Sequence, residues 1–194
     1  MSKLSELRLH ARNRKLPTAA CIGRLEPQFI SYNLFIYDSL KGDRSNYTGM
    51  KTAEERHEHA VAGVSTGEDV YKLGDFYNQI HTSKIQINEN DLKIKLHNTR
   101  YAILDSGHDL EYHMDPPNIY NIIIPLSDPI TFKAQVPHLK GDEIDCVDIE
   151  IGQIYFVNPS YMHMTSHLSD EPRVAILANF NYNEEIYDTI RGLL

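Results

Sequence analysis

The chain has 194 residues, 41% of them hydrophobic, which is enough for one buried core and predicts a single domain over 1–194. A formal charge of -8 argues against general affinity for nucleic acid or an anionic membrane, because phosphate groups would be repelled. Cys21 and Cys146 form no CxxC pair, no signal-like segment opens the chain and no apolar run is long enough to span a membrane, so a reducing, cytoplasmic setting is expected.

Residues 1–27 form an N-terminal segment in which Met1 to Lys15 carries Lys3, Arg8, Arg12, Arg14 and Lys15 against Glu6. A basic arm could dock an acidic partner, but such terminal clusters are more commonly inert. Gln28 to Tyr37 is rich in β-branched and aromatic residues and predicts a buried strand. The polar stretch Lys41 to Thr66 predicts a long loop with a short strand at Ala60 to Val64. His57 and His59 sit there among Glu54, Glu55 and Glu58, as in an exposed charged turn rather than a metal pair. Glu68 to His81 places Val70, Leu73, Phe76, Tyr77 and Ile80 at helical spacing and predicts an amphipathic helix. Lys84 to Ile87 and Leu92 to Leu96 alternate apolar with polar around turn residues, as two strands would.

From there the chain reads as strand after strand: Tyr101 to Leu104, Glu111 to Met114, Ile119 to Pro125, Ile130 to Val136, Cys146 to Ile151, Ile154 to Val157 and Arg173 to Phe180. Short strands at this spacing, separated by Gly, Pro, Ser and Asp, predict a mainly β fold, a sandwich or barrel with a jelly roll the expected form and its core over 100–180. The preceding helix would back one sheet, and Asn183 to Leu194 closes the chain as a short helix.

The chemistry concentrates in this second half. His113 and Asp115 stand two apart, so on a strand both would face the same way and could grip one ion. With a second histidine from elsewhere they would form two histidines and a carboxylate on one octahedral face, the ligand set of non-haem Fe(II) oxygenases. His163 and His167 both lie on the segment that could supply it. Arg173 opens an apolar run, where its planar fork of donors would suit bidentate capture of a carboxylate.

The run RYAI from Arg100, then His113-Met114-Asp115, then Gly152-Gln153-Ile154-Tyr155-Phe156-Val157-Asn158, then His163 with Arg173 ten positions on, resembles the 2-oxoglutarate and Fe(II)-dependent oxygenases. Within them it looks most similar to the aspartyl/asparaginyl β-hydroxylase family, including the proline cis-4-hydroxylases. The likeness runs from Arg100 to Phe180. It implies a double-stranded β-helix, the cupin-like jelly roll with a few flanking helices. It also implies Fe(II) held by His113, Asp115 and His163, and Arg173 on the remote carboxylate of 2-oxoglutarate, with O2 as the second cosubstrate. The spacing to Arg173 and the Gly152 lead-in select His163 over His167 as the metal ligand.

The implied reaction is hydroxylation of an unactivated C–H bond of an amino acid, free or in a polypeptide, with release of succinate and CO2. Asp115 fills the carboxylate position that a halogenase of this fold would leave open. Two positions depart from the family: Asn121 stands where relatives often carry an arginine, and His167 where they often carry Asn or Ser. Arg100, Asn121 and His167 are the candidate substrate contacts, Arg100 through a salt bridge to a substrate carboxylate or, alternatively, as a surface arginine paired with an acid. A small-molecule or peptide substrate is expected. Two other classes fit the same residues: a cupin-type metal protein with 2-oxoglutarate-independent chemistry, and a barrel that binds a small molecule without catalysis.

Overall fold

The computed structural model describes residues 15–41, 77–81, 84–87, 92, 94–104, 106–107, 109–113, 115, 119–135, 144–158, 160–167, 169–181 and 184–192. The basic arm up to Arg14, the stretch holding His57 and His59, and the first part of the helix expected over Glu68 to His81 lie outside these residues. In chain order the elements are β1 (Ala19–Arg24), α1 (Pro27–Leu40), β2 (Tyr77–His81), β3 (His97–Leu104), β4 (Leu110–His113), β5 (Ile119–Pro125), β6 (Ile130–Gln135), β7 (Ile144–Ile149), β8 (Gln153–Val157), β9 (His163–Ser166), β10 (Arg173–Asn181) and α2 (Glu184–Gly192).

The strands form a six-stranded sheet ordered β1-β8-β5-β10-β3-β2 and a four-stranded sheet ordered β4-β9-β6-β7. From β3 to β10 the chain passes repeatedly between the two, and every pairing is antiparallel. This is the double-stranded β-helix, a jelly roll closed by two facing sheets.

Strand alternation splits the large sheet into a packing face and a cavity face. On one side Tyr101, Ile103, Tyr120, Ile122, Ile124, Phe156, Val174, Ile176, Ala178 and Phe180 join the main core with Ile36 of α1 and Ile186, Tyr187 and Ile190 of α2. On the other, Ile123, Val157 and Ala175 meet Ile130, Phe132, Ala134 and Ile149 of the smaller sheet. Helices cover the outer face, so the residues of the inner face are free to build a site. Tyr120 anchors the outer core edge-on to Phe156, with ring centroids 5.4 Å apart.

Three expectations fail here for identifiable reasons. Gln28 to Tyr37 lies within helix α1, not in a strand. Pro27 sits in its first turn, where a missing N–H costs nothing, and Phe29, Ile30, Asn33, Ile36, Tyr37 and Leu40 turn toward the core at helical spacing. Asn33 is buried there because its amide donates to the Phe29 and Gln86 carbonyls at 2.8 and 3.3 Å while its oxygen accepts from the Tyr101 hydroxyl at 3.1 Å. Residues 77–81, expected to end a helix, form β2 on the edge of β3; backbone pairing with an open sheet edge outweighs the helical spacing of their side chains. The alternation over 84–87 and 94–96 is real, since Leu92, Ile94 and Leu96 are buried and Ile85 and Ile87 pack on the core, but no ladder forms there. Period two reported burial, not pairing. Strands β1 and β9 lie where no strand was expected.

The remaining strands and the closing helix fall within a few residues of their expected positions. Glu184 and Glu185 in the first turn of α2 and Arg191 in its last complement the helix dipole. Among the described residues no helix is long and apolar enough to cross a membrane.

Candidate functional site

A cavity of about 240 Å³ opens between the two sheets, and strand alternation determines what lines it. Arg100, Ala102 and Leu104 come from β3, Asn121 and Ile123 from β5, and Arg173, Ala175, Leu177 and Asn179 from β10. The smaller sheet adds Leu110, His113, Phe132, His163 and Thr165.

His113 and His163 are directly opposed on β4 and β9, with ring centroids 4.4 Å apart. Asp115 joins them by a different route from the one expected. β4 ends at His113, so Asp115 lies just past the strand and strand periodicity does not aim it. Its carboxylate is instead gripped by the Asn121 amide, which donates to Oδ2. The three side chains offer ligand atoms that all lie within 4.8 Å of one another. Nε2 of His163 is 3.5 Å from Asp115 Oδ2, and Nε2 of His113 is 4.0 Å from Oδ1.

The hydrogen bonds test whether this donor set fits a metal. Nδ1 of His163 lies 2.9 Å from the Tyr161 carbonyl, an acceptor, so Nδ1 must carry the proton. A neutral His163 then turns a lone pair toward a carboxylate oxygen, and two acceptors facing each other need a cation between them. Either a second proton or a metal ion satisfies that requirement. In the proton form, burial works against the charged imidazole, but the Asp115 hydrogen bond and charge outweigh it and raise the His163 pKa. Burial likewise works against ionised Asp115, yet bonding to His163 and the charges of His163, His113 and Arg100 bring its pKa down to about 2. The residues present therefore fit a divalent ion, with both imidazoles supplying Nε2 and the carboxylate already ionised.

Arg173 is 4% exposed and lines the same cavity. Its guanidinium donates to the Ser166 carbonyl at 3.0 Å and to the Thr165 hydroxyl at 3.1 Å, which fix the plane of the fork. Arg100, also in the lining, donates through Nη1 to Asn179 Oδ1 at 2.7 Å. Asn121 lines the cavity too. His167 does not. It is 2% exposed, its Nε2 bonds the Glu171 carbonyl at 2.7 Å and its backbone amide donates to Asp109 at 3.1 Å, so it ties down the turn ahead of β10. His167, expected as a substrate contact, thus lies outside the cavity lining.

Sequence reasoning passed over Asn179 and Thr165. Both were findable by counting in twos, Asn179 from Arg173 along β10 and Thr165 from His163 along β9. For Asn179 the available signal was a polar residue in phase with Arg173 in a largely apolar strand.

Fold and site together define a cupin-class jelly roll with a two-histidine, one-carboxylate cluster inside. No protein-family model matches the chain, and no curated protein matches its sequence. Among solved structures, the non-haem α-ketoglutarate-dependent epimerase SnoN of nogalamycin biosynthesis is similar over 92% of this chain and 83% of its own, with a TM-score of 0.57 at 12% identity. An oxalate oxidase matches 56% of this chain and 52% of its own, with a TM-score of 0.42 at 9% identity. The oxalate decarboxylase of Bacillus subtilis matches 54% of this chain, which spans 25% of that protein's length, with a TM-score of 0.39 at 13% identity. At these identities the similarity concerns the fold.

Proposed function

We propose that the protein is a 2-oxoglutarate- and Fe(II)-dependent dioxygenase that hydroxylates an unactivated C–H bond of an amino acid, free or in a polypeptide, releasing succinate and CO2. The observation that carries this reading is the convergence of His113, Asp115 and His163 in one cavity that a buried arginine, Arg173, also lines. Three protein ligands leave open positions on a six-coordinate ion for cosubstrates, as in the two-histidine, one-carboxylate oxygenases.

In this reading His113 and His163 bind Fe(II) through Nε2, Asp115 through its carboxylate, and Arg173 pairs with the remote carboxylate of 2-oxoglutarate. Bound iron supplies the activation of O2, coupled to oxidative decarboxylation of the oxoacid. The chain's own contribution is orientation. Thr165 and the Ser166 carbonyl hold the Arg173 fork in plane, and the Tyr161 carbonyl holds the His163 ring. Apolar walls from Leu104, Ile123, Phe132 and Leu177 limit water around the reacting groups. In this reading Arg100, which lines the β3 side of the cavity, pairs with a substrate carboxylate.

The test is succinate release from 2-oxoglutarate with Fe(II) and ascorbate, comparing stimulation by the small-metabolite and macromolecular fractions of a cell extract. Stimulation by the first would indicate a free amino acid and by the second a polypeptide. Arg173→Met is expected to lose 2-oxoglutarate binding while Fe(II) binding persists; unchanged 2-oxoglutarate affinity would refute the assignment and leave a metal-binding cupin with other chemistry.

A further inference from the structure

Arg100, Asn179, Asn121 and Asp115 form an unbroken chain of side-chain hydrogen bonds across three neighbouring strands to the end of the metal cluster. Arg100 Nη1 donates to Asn179 Oδ1 at 2.7 Å, Asn179 Nδ2 donates to Asn121 Oδ1, and Asn121 Nδ2 donates to Asp115 Oδ2. The register explains the chain: Asn179 and Asn121 are directly paired on β10 and β5, while Arg100 on β3 pairs with Leu177, two residues away on the same face.

The direction of this chain is forced by its ends. A guanidinium only donates and an ionised carboxylate only accepts, whereas each amide does both. Arg100 must meet the oxygen of Asn179, which turns the Asn179 nitrogen toward Asn121. Asn121 must then accept with its oxygen and present its nitrogen to Asp115. Were either amide reversed, two acceptors or two donors would face each other in a buried setting, where an unmade hydrogen bond is costly. Asp115 needs such a hold, since it lies beyond the end of β4 and no ladder bond aims it.

We propose that Asn179 and Asn121 are positioning residues of the metal centre, forming a one-way relay that holds the Asp115 carboxylate in its ligating orientation under the control of Arg100. The inference rests on the reading of His113, Asp115 and His163 as metal ligands, but not on 2-oxoglutarate or on any substrate. A ligand that engages Arg100 would, through the same relay, alter the hold on Asp115.

The test uses metal-free protein titrated with Co(II), read as a dissociation constant and as the visible absorption of the bound ion. Asn179→Asp keeps an acceptor for Arg100 but removes the donor to Asn121. Added negative charge near the cation would by itself tighten binding, whereas loss of the relay is expected to weaken it by about 10-fold or more, the usual cost of losing a partner to a metal ligand. Asn179→Leu should weaken it similarly without the charge, and both should change the absorption bands. Combining Asn179→Leu with Asn121→Leu should weaken binding no further than Asn121→Leu alone, because the two act in series. Circular dichroism and thermal melting identify which variants are folded, and the Asp and Leu forms at 179 serve as replacements for one another. Unchanged affinity and spectrum in a folded Asn179 variant, or independent effects in the double variant, would overturn the relay while leaving the metal site standing. Failure of the unmodified protein to bind Co(II) would overturn both.

Discussion

At His163 the conflict between two acceptors makes pH a probe of the site. The raised His163 pKa means that an incoming metal displaces a proton wherever the pH lies below that raised value. Metal affinity should therefore fall as pH drops through that raised value, above 6.5, while Asp115, at about 2, contributes no proton over this range. The metal-free protein runs the other way. The raised His163 stabilises the fold fully below 6.5 and loses that contribution as pH rises through its folded pKa; depressed Asp115 contributes above 3.8 and is lost as pH falls toward 2. Melting of apo protein between these limits and above them, with and without Co(II), should show the metal-induced shift growing with pH. The same site separates the two candidate histidines. His163→Ala should lose metal binding, while His167→Ala should keep it and lower the melting temperature, since its ring holds the Glu171 carbonyl.

At the scale of elements, β9 and β10 carry site residues by simple alternation, while the turn into β8 serves the fold outside the cavity. Gly152 has φ 78°, its amide donates to Pro125 at 2.8 Å and its carbonyl accepts from Leu25 at 2.7 Å. A Cβ at this position would meet Ile30 Cδ1 at 2.6 Å, the end of a side chain that can move aside, so it is the left-handed backbone that favours glycine. Gly152→Ala should cost about 1–2 kcal/mol from the left-handed backbone alone. A urea midpoint lowered with little change in Co(II) affinity would match its place outside the cavity lining; an unaltered midpoint would mean that the turn can relax.

For the whole molecule, two facing sheets give one interior that must both hold the fold together and stay open. The division of labour is between faces of the large sheet, with the helix-backed side closed by Tyr120, Phe156 and Phe180. Phe156→Ala should therefore cost about 3–5 kcal/mol of unfolding free energy, measured by denaturant titration. Because a metal would bridge strands and a loop that folding alone brings together, binding should raise global stability by about 2.7 kcal/mol at a hundredfold excess over its dissociation constant. Asp115→Ala should abolish that increment.

Local patterning sufficed for much of this molecule. The strands from β5 to β8 and β10 were legible because alternation and turn residues are properties of neighbouring amino acids, and the His113, Asp115, His163 and Arg173 set was legible because its residue types and spacing form a recognisable pattern. Helix α1 was misread where β-branched and aromatic content was weighed above the signal of Pro27 and the period of its buried residues. What no local pattern contained was the partner of each strand. Pairing β10 with both β3 and β5 decided that Asn179 would meet Arg100 and Asn121, and the bonds to Asp109 and Glu171 decided that His167, in phase with His163 along the chain, would leave the cavity. Side-chain alternation is inherited from the chain; which side chains then share a hydrogen bond depends on strands brought together from residues far apart in it, and only the tertiary structure determines that.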